Sequence, residues 1–209
     1  MRRGDEPVLA GLSIRIPEGV SAIVGPSGSG KSTLLRLLNR LSDPDDGVVR
    51  LRGTEVRELD PLRLRREVGL VPQLPALLEG TIATNIRFAA GLAGRVPDLG
   101  RLLGLAGLDG SFADRDVERL SVGEQQRAMI ARALALDPDV LLLDEPTSAL
   151  DERARDSVER TIADLRQRLG GSIVIVTHDP AQARRLASWA VRIDQGRLVR
   201  EGPAAEVLA

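Results

Sequence analysis

An α/β fold with a mainly parallel sheet is predicted by three features of the sequence. Residues 140–143 (VLLL) and 172–176 (SIVIV) are almost wholly apolar, the pattern of strands covered on both faces. Helix-length runs at 31–41 and 152–169 alternate with such strands. Between them, residues 74–136 change to apolar residues at helical spacing, broken by Gly91, Gly94, Pro97, Gly104, Gly107 and Gly110. The expected organisation is a single domain over 1–209. Its α/β core comes from 1–73 and 137–209, with an antiparallel β region near the N-terminus and an inserted helical subdomain at 74–136.

Taken in order, 12–16 and 20–24 read as strands, 31–41 as a helix, 42–47 (SDPDDG) as a turn and 48–52 as a further strand. After the helical insertion come the strand 140–143, the helix 152–169, the strand 172–176, and a closing helical and strand segment. A chain of 209 residues with 43% hydrophobic content buries one substantial core. Its apolar runs fall far short of the roughly 20 residues that cross a bilayer. No apolar stretch follows Arg2 and Arg3, so a secretory signal is not expected and a cytoplasmic location is. The absence of cysteine removes disulfides and thiolate metal sites. A net charge of −1 gives no basic excess for general nucleic-acid binding.

Lys31 is the only lysine although arginine is abundant, and His178 is the only histidine. A solitary lysine marks a place where a compact ammonium is wanted instead of a planar guanidinium. Lys31 falls in Gly25-Pro26-Ser27-Gly28-Ser29-Gly30-Lys31-Ser32-Thr33, which fits G-x-x-x-x-G-K-[ST] between a strand and a helix. The glycines let successive N–H groups converge on phosphate oxygens, and the helix N-terminus adds positive potential. Lys31 can reach the outer phosphates, and the Ser32 hydroxyl is placed for Mg²⁺. Asp144 and Glu145 end a buried strand, where open α/β sheets place their ligand crevice, and supply a second carboxylate for magnesium and a group to orient water. His178 ends the next strand in the same way.

On these residues the chain resembles the ABC ATPase family, in motif order and over essentially its whole length. The phosphate loop is followed by VPQ with Gln73, by LSVGEQQR at 120–127 as the signature, by VLLLDEP at 140–146, by SALD at 148–151 and by VTHD around His178. The resemblance implies a P-loop NTPase (RecA-like) core and a dimer, homo- or heteromeric, with two ATP molecules sandwiched between phosphate loop and partner signature. It implies that Asp144, Ser32 and Gln73 arrange Mg²⁺ and water, that Glu145 is the general base, and that His178 contacts the γ-phosphate. Ser121 and Gly123 would serve the partner's ATP, and Asp151 would couple the two sites. The implied role is the ATP-hydrolysing subunit of a membrane transporter, held on the inner face of the membrane by a separate permease, with phosphate or a metal ion as cargo. The competing reading is a non-transport ABC ATPase of DNA repair or translation; the chain has none of the coiled-coil arms, zinc modules or second cassette those carry.

The sequence departs from the family's LSGGQ at Val122 and Glu124. Ser121-Val122-Gly123-Glu124 also fits a capping box. In it Ser121 is expected to accept a backbone N–H and keep its hydroxyl hydrogen for a phosphate oxygen, while the cap absorbs the Glu124 charge. The family's adenine-stacking aromatic is missing too, since none precedes Phe88. Either Arg2 or Arg3 stacks there instead, or an initial strand precedes this start.

Overall fold

The computed structural model describes residues 2–3, 6–168 and 170–209, with the side chains of residues 2, 3, 6 and 7 also outside the description. The strands are β1 (Arg2–Arg3), β2 (Glu6–Pro7), β3 (Val20–Val24), β4 (Arg50–Leu51), β5 (Thr54–Glu55), β6 (Val68–Val71), β7 (Val140–Asp144), β8 (Ser172–Thr177), β9 (Trp189–Asp194) and β10 (Arg197–Pro203). The helices are α1 (Lys31–Leu38), α2 (Pro61–Glu67), α3 (Ile82–Leu92), α4 (Leu99–Leu105), α5 (Val122–Leu134), α6 (Glu152–Arg168), α7 (Pro180–Leu186) and α8 (Ala204–Val207). Six strands form one sheet in the order β10-β9-β3-β8-β7-β6, parallel except for β10, which runs back along β9.

Period-two alternation explains why the central strands are apolar throughout. In β7, Leu141 and Leu143 enter one core and Leu142 the other; in β8, Ile173 and Ile175 enter the first, Val174 and Val176 the second. The first core joins the sheet to Ile82 and Ile86 of α3, Leu103 of α4, Met129 and Ile130 of α5, and Val158 and Ile162 of α6. The second packs Leu34 and Leu35 of α1 and Leu64 of α2 on the opposite face. The helical stretch therefore shares a continuous core with the sheet.

Several local expectations are corrected. Residues 12–16 form no strand: Leu12, Ile14 and Ile16 keep alternating burial, but the Arg15 N–H donates to the Glu201 carboxylate at 3.1 Å instead of to a neighbouring strand. α1 stops at Leu38, short of 41, because Arg40 takes φ 54° and the N–H of Leu41 turns back to Arg36 O at 2.8 Å, a left-handed helix stop. The strand at 48–52 shrinks to β4, turned at Arg52 (φ 49°) and Gly53 (φ 87°) to pair with β5 alone. The antiparallel region thus consists of two small ladders, β1-β2 and β4-β5, separate from the main sheet. Two elements were not anticipated, α2 and the edge strand β6, whose four residues carry too short a pattern to stand out.

Candidate functional site

The parallel strands present their carboxyl ends along one edge of the sheet. From the β9 side the edge carries the turn after Asp194, then the glycine loop after β3, His178 after β8, Glu145 after β7 and Gln73 after β6. A cleft of about 600 Å³ opens there, lined by Val8, Ser27, Gly28, Gly30, Lys31, Ser32, Thr33, Gln73, Glu145 and Gln195.

Gly28 (φ 81°) and Gly30 (φ 99°) take the left-handed conformation that glycine adopts at little cost. Gly30 is also the N-cap of α1, so that helix begins inside the loop. Gly25 is needed for space, because a Cβ there would lie 2.1 Å from Ile193 O. Pro26 O closes the turn by accepting from the Ser29 N–H at 3.2 Å. Ser29 itself is turned inward, 2% exposed. The Lys31 ammonium is buried, donating to Gly25 O and Pro26 O, each at 2.9 Å, with Glu145 Oε1 at 3.7 Å.

Glu145 receives the other side of that geometry. His178 Nδ1 lies 3.1 Å from Glu145 Oε2; a carboxylate only accepts, so the proton of this bond is on Nδ1. The Glu145 backbone sits at φ 45°, fixed by its N–H donating to Val176 O at 2.9 Å and by Ser148 Oγ donating to Glu145 O at 3.1 Å. Non-glycine residues held in this region cost free energy and gather at functional sites. Asp144 accepts from Ser32 Oγ at 2.9 Å, and burial pushes its carboxyl above the ordinary aspartate range, with the Ser32 bond partly opposing. Gln73 Nε2 donates to Ser148 Oγ at 3.2 Å, tying the end of β6 to the turn after β7.

The structure brings the phosphate loop, Gln73, Asp144, Glu145 and His178 to one edge. It leaves Ser121, Gly123 and Asp151 out of the cleft lining. Asp151 Oδ1 accepts from the Ala154 N–H at 2.9 Å and so caps the start of α6. Gly123 lies against α6 so closely that a Cβ would be 3.0 Å from Ala154 Cβ. The capping box forms as expected, yet one expectation fails. The Ser121 hydroxyl donates to Glu124 Oε2 at 2.8 Å, where the Ser121 N–H also donates at 2.8 Å, so its hydrogen is committed to the carboxylate. A serine hydroxyl beside an ionised acceptor donates its hydrogen bond to it, and this is what Glu124 at that position brings. The bonds from Ser121 hold Glu124 below the ordinary glutamate range, and Arg115 stands 3.7 Å away.

The side chains of Arg2 and Arg3, the expected adenine contacts, lie outside the described residues. Sequence reasoning missed Val8 and Gln195, which line the cleft on the β9 flank. Gln195 (φ 46°) and Gly196 (φ 72°) form the β9–β10 turn, and the Gly196 N–H donates to Ser29 O at 3.1 Å. Two successive positive φ values belong to a type I′ hairpin, a signal readable only once both flanking strands are recognised.

With this geometry in place, comparison with known proteins defines the class. The ABC transporter family model matches residues 9–148, and the chain belongs to that family as an ATP-binding ATPase cassette. It is 44% identical to Protein STAR1 of Oryza sativa over 209 residues, covering 98% of this chain and 60% of that protein. It is 40% identical to the Escherichia coli glycine betaine uptake system ATP-binding protein YehX, covering 95% and 67%, and 44% identical to the Yersinia pestis phosphate import ATP-binding protein PstB 1, covering 94% and 78%. Among solved structures, cbiO1 of Clostridium perfringens, part of the cbiONQ transporter complex, superposes with TM-score 0.87 at 27% identity, over 96% of this chain and 83% of that one. The dimeric cassette MJ0796 bound to ADP and Pi gives 0.83 at 31% identity, over 98% and 94%. Among the described residues no helix is long and apolar enough to cross a membrane.

Proposed function

We propose that the chain is the ATP-hydrolysing subunit of a solute import system, bound to a separate membrane permease and active as a dimer. The observation that carries the catalytic part is the placement of Glu145 at the rim of the phosphate-loop cleft, between the Lys31 ammonium and the His178 ring. Triphosphate lies on the N–H groups of Gly25 to Thr33, with Lys31 on its outer oxygens. Glu145 accepts the proton of the attacking water, and His178 holds the γ-phosphate. Ser121, through the cap it makes at the start of α5, and Gly123 serve the partner's nucleotide, and Asp151 links the two sites.

The donors at the loop fit Mg²⁺. Ser32 Oγ and Asp144 Oδ1 are an all-oxygen pair 2.9 Å apart, and no cluster of three or more His, Cys, Asp or Glu competes among the described residues. Ser32, Asp144 and Gln73 would hold the ion, with phosphate oxygens and water completing its shell. An ion held there would neutralise charge developing on the phosphates.

Residues 74–136 form the helical subdomain on the core of 1–73 and 137–209, and its surface beside Gln73 meets the permease, which places the chain on the inner face of the membrane. Import is favoured by the uptake and import roles named for the E. coli and Yersinia relatives, and phosphate stays within their range of small solutes. A metal-ion cargo has less support, and the non-transport reading has no relative among those described. The test is Glu145→Gln, which keeps the shape but removes the base. Turnover should fall about 10²- to 10⁴-fold while Mg-ATP still binds. Wild-type turnover in that variant sinks the reading.

A further inference from the structure

Outside the cleft, a buried polar chain ties the loop after Glu145 to the helix after His178. Gln182 on α7 is 1% exposed. Its Nε2 donates to Thr147 Oγ1 at 2.6 Å and to Glu159 Oε1 of α6 at 3.0 Å. Glu159 also accepts from Arg185 Nε at 3.0 Å and from its terminal nitrogen at 2.8 Å, a two-pronged pair that fixes the carboxylate. Gln182 Oε1 is buried with no hydrogen-bond partner among the described residues.

That orphan oxygen is informative. Turning the amide over would set Oε1 against the Glu159 carboxylate, acceptor against acceptor, so Glu159 dictates which way the amide faces. A buried amide with an unpaired carbonyl is less stable than a methionine or leucine of similar size, so packing does not explain glutamine here. Its position does. Thr147 is two residues past Glu145, and α7 starts two residues past His178, with Asp179 capping it through the N–H groups of Ala181 and Gln182. The Gln182–Thr147 bond therefore closes a ring whose opposite side is the 3.1 Å contact between His178 Nδ1 and Glu145 Oε2. Adjacent strands β7 and β8 bring the two backbones together, and local bonds hold the Glu145 backbone and the start of α7 each in place. The ring adds a direct side-chain tie between the two loops.

We propose that Gln182, oriented by Glu159, is a positioning residue that sets the Glu145–His178 geometry for hydrolysis. It touches no substrate and acts through Thr147 and α7. The inference rests on the roles proposed above for Glu145 and His178. Steady-state ATPase kinetics of the full chain test it with Gln182→Met, which keeps length and loses the amide, and with Thr147→Val, which cuts the same bond from the loop side.

Each variant should lose about 10- to 100-fold in kcat with KM for ATP within about twofold, the effect of misplacing a catalytic group while leaving binding intact. Thr147→Ser, which keeps the hydroxyl, should retain wild-type kcat, and the double variant should be no worse than either single one. In a His178→Ala background, Gln182→Met should change kcat less than about twofold, since the pair it positions is gone. A full additional loss in that background means a general structural role and overturns the inference, as does wild-type kcat in both single variants. Wild-type turnover in His178→Ala alone overturns the parent reading of the site.

Discussion

Glu124→Ala is the sharpest probe of the signature turn. The substitution deletes the acceptor of the Ser121 N–H and hydroxyl, each at 2.8 Å, and the 3.7 Å approach of Arg115. Losing the side-chain half of a capping box costs about 0.5–2 kcal/mol, and the half-exposed Arg115 pair adds at most a few tenths. A total of about 1 kcal/mol should lower Tm by roughly 2–4 °C in a chain of this length. Because the bonds from Ser121 lower the Glu124 pKa in the folded chain, this stabilisation is complete above the unfolded value of 4.5. It is lost as pH falls through the lower folded value. Urea unfolding of both chains, followed by circular dichroism, should show a constant difference from neutral pH down to about 4.5 and a shrinking one from there down through the folded value. Glu124→Gln retains an acceptor oxygen and should recover part of the loss. A difference below roughly 0.3 kcal/mol at neutral pH, or one that persists unchanged into acid, refutes the reasoning.

Two further substitutions separate stability from function. Asp144→Asn removes a charge that burial disfavours, so in magnesium-free buffer Tm should rise while ATP hydrolysis is lost; a lower Tm contradicts the burial argument. Gly196→Ala adds left-handed strain at φ 72° and a Cβ 2.2 Å from Val8 O, together about 2–4 kcal/mol. Since the Gly196 N–H holds Ser29 O of the phosphate loop, KM for ATP should rise with it, and an unchanged melting curve would rule out the packing described.

Much of the site was legible in the chain because its chemistry is local. The glycines, Lys31 and Ser32 lie within nine consecutive residues, and a strand followed by a helix is enough to make them a phosphate cradle. The apolar runs of β7 and β8 announced a sheet buried on both faces, and so placed Asp144, Glu145 and His178 at its carboxyl edge. The capping box was equally readable, four residues with both bonds internal to them. What it does to the Ser121 hydrogen was not, because a hydroxyl follows whichever acceptor its rotamer meets.

By itself, then, the sequence determined the α/β class, the phosphate loop and the identity of the acid and histidine at the sheet edge. Only the tertiary structure decided that residues 12–16 surrender a strand to a bond from the Arg15 N–H to Glu201, that α1 stops at Leu38, and that Gln195 and Val8 wall the cleft. It alone joined Gln182 to Thr147 and Glu159, 35 and 23 residues away. The physical reason is range. Periodicity and capping are written in neighbours a few residues apart, whereas a buried polar group takes its partners from whatever the packed helices bring within 3 Å, and no local pattern records that choice.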